Sequence, residues 1–130
     1  MDIVEKKGYR VLHLLASGGE GQVFICEKDG TRFILKVMPC MDSRQREILA
    51  QIDTLPEGFF PRVIETFADG EHTCLVREYI PGNTLREELQ KSGSFSYSHA
   101  LRVFHMLCEA LTLLHRALPQ PIVLRDLKPE

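Results

Sequence analysis

Between Tyr9 and Met38 the chain is cut twice by glycine-bearing turns, Ala16-Ser17-Gly18-Gly19-Glu20-Gly21 and Glu27-Lys28-Asp29-Gly30. The pieces they separate, Tyr9 to Leu15, Gln22 to Glu27 and Thr31 to Met38, are short and apolar and read as strands. Turns this tight leave no room for a crossover of a dozen residues, so the three strands must run antiparallel. That requirement sets the first third of the molecule as a sheet.

The pattern then changes period. Asp42, with Gln45 three residues on, reads as an N-cap, and Ile48, Leu49, Ile52 and Leu55 fall on one face of the helix it opens. Pro56-Glu57-Gly58 ends that helix. Two further strands, Arg62 to Phe67 and Thr73 to Ile80, flank an Asp69-Gly70 turn, and Pro81-Gly82-Asn83 closes this half. A short helix is predicted from Thr84 to Lys91. A longer one follows from Tyr97 to Ala117, with Ala100, Phe104, Leu107, Leu111 and Leu114 as an apolar stripe that further helices beyond residue 130 would cover. Pro119-Gln120-Pro121 breaks the chain before Ile122-Val123-Leu124.

With 130 residues and 44% hydrophobic residues, the sequence suits one small domain or part of a larger one. A formal net charge of -2 without a basic stripe argues against a nucleic-acid partner or an anionic membrane surface. Cys26, Cys40, Cys74 and Cys108 lie far apart, which argues against a zinc site or a disulfide framework and predicts reduced, mostly buried thiols. His13, His72, His99, His105 and His115 are scattered and suggest neither a metal nor a general base. The N-terminus lacks a signal-peptide core and no run reaches the length of a membrane span, so a cytoplasmic location is expected, a downstream anchor being invisible here.

The chemistry is concentrated in four places. Glycines in a hairpin let backbone N–H groups approach phosphate oxygens. Gly18, Gly21 and Val23 match the last two glycines and the valine of G-x-G-x-x-G-x-V. Lys36 ends the apolar strand Phe33-Ile34-Leu35, where a lysine serves as a point charge against phosphate. Leu75-Val76-Arg77-Glu78-Tyr79-Ile80-Pro81-Gly82 follows as a strand and turn, and the chain ends on Leu124-Arg125-Asp126-Leu127-Lys128-Pro129-Glu130. In this order the four resemble a protein kinase of the eukaryotic-like (Hanks-type) serine/threonine class, a class with bacterial members, over the whole chain.

The resemblance implies an α+β fold: an N-lobe over residues 1–80, with a five-stranded antiparallel sheet and one helix, and over residues 81–130 the first helices of a truncated helical C-lobe, ending in the catalytic loop. It implies ATP and Mg2+ as cofactors and a protein Ser or Thr hydroxyl as acceptor. Asp126 would receive the hydroxyl proton and Lys128 would serve the transferred group. Leu15, Gly18, Gly21, Val23 and Lys36 would hold the nucleotide, with backbone groups around Glu78 and Ile80 binding adenine. Arg125 would answer to phosphorylation. The lysine's acidic partner falls on Glu47 or, by the spacing ahead of Ile48-Leu49, on Gln45.

The sequence also departs from the family. Ala16 stands at the first glycine, Glu20 at a usual aromatic, Ile34 at a usual alanine, Arg77 at a usually uncharged position behind the nucleotide, and Leu124 at a usual His. The Asn after the loop and the D-F-G Asp, both metal ligands in the family, are not among these residues, so no metal site is expected within the chain and efficient transfer by it is not expected. A pseudokinase, or a truncated fragment that binds nucleotide or a partner without catalysis, is the alternative.

Overall fold

The computed structural model describes residues 1–124 and 127–129, so the expectations for Arg125 and Asp126 lie outside the described residues. The chain divides into two compact units, Met1–Asp53 with Phe60–Ile80, and Thr54–Phe59 with Pro81–Glu130.

The first unit is built on five antiparallel strands, β1 (Arg10–Gly18), β2 (Gly21–Lys28), β3 (Thr31–Pro39), β4 (Val63–Asp69) and β5 (His72–Glu78), in spatial order β1-β2-β3-β5-β4. Each hairpin sits where the sequence breaks. At Asp29-Gly30 both residues take positive φ, 51° and 76°, which matches the strand twist and which Asp and Gly tolerate. The helix after β3 spans Ser43–Asp53 and takes the label α2, because a helix the sequence did not announce, α1 (Asp2–Lys6), precedes the sheet. The expected capping box is present: Gln45 N–H donates to Asp42 Oδ1 at 2.8 Å and Asp42 N–H to Gln45 Oε1 at 3.0 Å. Leu55 falls beyond the end of α2.

One sheet face holds the tightest core. Cys26, Leu35, Cys74 and Val76 are fully buried there, with Phe24, Phe33, Val37 and Phe67 packed around them. Val4 of α1 and Tyr9 complete this core, which is why so short a helix persists: five residues are far too few to hold a helix by themselves in water. Polar contacts fix its approach. Lys7 Nζ and Tyr9 Oη each donate to Glu65 at 2.7 Å, Lys28 Nζ lies 4.7 Å from the Tyr9 ring centroid, and Tyr9 meets Phe33 edge-on at 5.8 Å. Lys7, then Tyr9, hold the Glu65 carboxyl below its ordinary pKa, while burial and then the bond to Glu65 raise that of the Tyr9 phenol.

The opposite face carries Ile25, Ile34, Thr73 and Leu75, all buried. Thr73 Oγ1 accepts from Met41 N–H at 3.1 Å and ties the β3–α2 connection to β5. Of the four thiols, Cys26 and Cys74 are buried and Cys40 and Cys108 exposed, correcting the expectation that most would be buried. Burial pushes the Cys26 thiol up to about 11, so it stays protonated and unreactive at neutral pH.

In the second unit, α3 (Leu85–Ser92) opens on a capping box between Thr84 and Glu87, and Gly93 closes it. The longer α4 (Tyr97–His115) opens on Ser96, whose Oγ accepts from His99 N–H at 3.2 Å. Its half-buried seam runs through His99, Val103, Leu107, Ala110, Leu111 and Leu114, whereas Ala100 and Phe104 of the expected stripe are exposed. Apolar residues occur all around α4, so periodicity could not select the covered side. Among the described residues no helix is long and apolar enough to cross a membrane.

Candidate active site

The β1–β2 hairpin has Gly18 and Gly21 directly opposite each other, with Gly19 and Glu20 at its tip. The two paired glycines serve different needs. Gly21 has φ +121°, and a Cβ there would lie 2.1 Å from the Val37 carbonyl oxygen, so β2 can cross β3 at this point only without a side chain. At Gly18 and Gly19 a Cβ would meet nothing within 4 Å, which leaves the backbone of the tip open to a ligand. Those are the positions where an anion could reach main-chain N–H groups.

Register then lines up the remaining candidates. Ala16 pairs with Val23, Val23 with Lys36, Lys36 with Leu75 and Leu75 with Thr66, so a single row crosses the sheet below the hairpin. Lys36 is half-buried in the middle of that row, with Val23 and Leu75 as its partners on the neighbouring strands. Leu15 falls in the irregular step between Leu14 and Ala16 and is half exposed. Ile34, two residues before Lys36, is buried and pairs with Arg77.

Neither proposed partner of Lys36 is bonded to it among the described residues. The Gln45 amide oxygen is held in the α2 capping box, and Glu47 is exposed on the same helix. Gln45 has the right position in sequence, but the cap engages its side chain.

The far end of the sheet presents the second group. β5 stops at Glu78, whose N–H donates to Arg62 O at 2.9 Å and whose carboxylate accepts from Arg62 N–H at 3.2 Å. Glu78 is therefore pinned to the start of β4, and the chain leaves the sheet through Tyr79 and exposed Ile80 before Gly82 turns it at φ +128°. In the second unit Pro129 O accepts from Arg86 N–H at 3.1 Å, which anchors the end of the described chain to the first turn of α3. Lys128 is exposed there. Among the described residues there is no group of three or more His, Cys, Asp or Glu that could hold a metal ion.

A family model for the protein kinase domain matches residues 9–130. The chain belongs to the protein kinase family. Among curated relatives, protein kinase PVPK-1 of Phaseolus vulgaris is 32% identical over 138 aligned residues, covering 98% of this chain and 22% of that protein. Serine/threonine-protein kinase pkn2 of Myxococcus xanthus is 30% identical, covering 94% of this chain and 15% of that protein. Calcium/calmodulin-dependent protein kinase type 1 of Macrobrachium nipponense is 29% identical, covering all of this chain and 39% of that protein. The chain thus spans well under half the length of each. Plant, bacterial and animal relatives alike place it with the Hanks-type serine/threonine kinases, and its α+β architecture of a five-stranded antiparallel sheet followed by helices is that of the front of such a domain.

Two features of this kinase chain were not legible in its sequence. Gly19 joins Gly18 as an open backbone position, and only the glycine itself hints at it. Arg77 shares a sheet face with Lys36, which only the strand register reveals.

Proposed function

We propose that the protein to which this chain belongs transfers the γ-phosphoryl group of ATP to Ser or Thr hydroxyls of proteins, with residues 1–80 as its N-lobe and 81–130 opening its C-lobe. The observation that carries the reading is the placement of half-buried Lys36 in the row below a hairpin tip whose Gly18 and Gly19 leave the backbone bare. That arrangement fits a triphosphate: N–H groups above, one fixed cation below, and apolar Val23 and Leu15 beside them for the sugar and base. Adenine would bond to backbone groups of Glu78 to Ile80.

In the reaction, Asp126 accepts the proton of the acceptor hydroxyl as its oxygen bonds to the γ-phosphorus, the bond to the β–γ bridging oxygen breaks, and ADP leaves. Lys128 balances charge on the group in flight, and Arg125 pairs with a regulatory phosphate. Magnesium, when bound, neutralises charge on the phosphates. The Asn and the D-F-G Asp that hold it in the family are not among these 130 residues, so the chain by itself is expected to bind nucleotide without efficient transfer. ATP supply and the reduced thiols fit a cytoplasmic setting.

Transfer of label from γ-labelled ATP to a Ser/Thr acceptor protein, by the protein expressed from its whole reading frame, tests the proposal. Asp126→Asn and Lys36→Met should each lower it by at least about a hundredfold, in the range seen when a positioned catalytic group is removed. Transfer unchanged in both variants would contradict it. A second reading, nucleotide binding without catalysis, is favoured by the capping of Gln45 and the missing Glu47–Lys36 bond; binding with no transfer by the whole protein would select it.

A further inference from the structure

Lys36 and Arg77 lie on the same face of the sheet. Arg77 pairs with Ile34, Lys36 follows Ile34 by two residues, and Lys36 itself pairs with Leu75. The two cations are therefore diagonal neighbours on adjacent strands, about 7–8 Å apart at the backbone. Side chains of this length can bring both heads to a single polyphosphate.

Neither has a counter-ion among the described residues: Glu47 is exposed on α2 and not bonded to Lys36, and several carboxylates of the sheet are committed elsewhere. Glu78 points to the opposite face and accepts from Arg62 N–H. Glu65 is held by Lys7 and Tyr9, Glu27 by Arg10 at 2.8 Å, and Asp53 accepts from Val63 N–H. Gln45 carries no charge and caps α2. Two unneutralised cations on one face repel each other, and an anion placed between them removes that cost.

We infer that Lys36 and Arg77 form a two-cation site that holds the triphosphate of a nucleotide without a divalent metal. This rests on the nucleotide reading above and adds to it the agent that neutralises the phosphates. Arg77 suits the role because its guanidinium stays charged at every relevant pH and offers a fork of donors to phosphate oxygens. Arg77 is exposed, so an anion arriving from solvent can reach it.

ATP and tripolyphosphate titrated calorimetrically into the chain, in EDTA and in magnesium, test the inference. ATP is expected to bind in EDTA, and tripolyphosphate with it. Arg77→Met should weaken both in EDTA by about tenfold or more, as loss of a charge-assisted hydrogen bond does, and Arg77→Lys should recover part of the loss. Circular dichroism of each variant verifies that the sheet is intact. Binding of ATP with magnesium but not in EDTA, or an unchanged Arg77→Met variant in EDTA, overturns the two-cation site and leaves the nucleotide reading standing. Failure of ATP to bind under either condition overturns both.

Discussion

Gly18 and Gly21 face each other across one turn, and a methyl group at each would have opposite consequences. At Gly21 it would strike the Val37 carbonyl in a backbone conformation that already disfavours side chains, so Gly21→Ala is expected to cost about 2 kcal/mol of stability or more. At Gly18 there is open space, so Gly18→Ala should leave the melting temperature within about 1 °C while weakening ATP binding several-fold, because the methyl stands where phosphate would approach. Thermal melts with and without ATP separate the two; equal destabilisation by both changes would contradict the distinction. The sequence showed two glycines of one motif, and only the path of β3 beneath the hairpin shows that one of them is needed by the sheet itself. Glu65 supplies a pH signature at the same scale. Its folded pKa is depressed, so its contribution to stability is present above about pH 4.3, the ordinary glutamate value, and is lost as pH falls through the depressed value. The gap in melting temperature between wild type and Glu65→Gln should therefore close as pH is lowered from about 6 to about 3. A gap that stays constant would mean that Glu65 does not bond to Lys7 and Tyr9 as an anion.

At the scale of elements, the five strands, α2, α3 and α4 were legible because glycine, proline and capping residues punctuate them. The Asp42–Gln45 box is the clearest instance, a local signal realised by two hydrogen bonds. α1 was not legible, since five residues carry no period and the helix exists through Val4 and Tyr9 packing on Cys26, Leu35, Cys74 and Val76. Such tertiary support leaves no mark in local sequence. Val4→Ala should accordingly lower stability by about 2 kcal/mol, the scale of a buried aliphatic group removed from a closed core, although Val4 lies well before the hairpin. Chemical denaturation measures this, and an effect below about 0.5 kcal/mol would show α1 to be an ornament on the sheet rather than its cover. α4 failed in the other direction: its apolar residues run all round, so the seam through Val103, Leu107 and Leu114 had to be seen rather than read.

For the whole molecule, sequence order and three-dimensional placement tell one story by different means. Motif order carried the resemblance to kinases, and the family match over residues 9–130 bears it out. What order could not supply was neighbourhood: that Ala16, Val23, Lys36, Leu75 and Thr66 form one row, that Gln45 is engaged by its own helix, and that Arg77 stands diagonal to Lys36. Register depends on every turn length and bulge at once, including the two irregular steps in β1, and no short motif encodes it. The central claim is that a nucleotide sits on this row beneath the hairpin tip. The most direct measurement is amide-resolved NMR of the chain during titration with ATP. The account predicts shifts at Gly18, Gly19, Val23 and Lys36 and from Glu78 to Ile80, with Val4, Tyr9 and Glu65 unmoved. Shifts confined to the α1 side of the sheet, or none at saturating ATP, would contradict it.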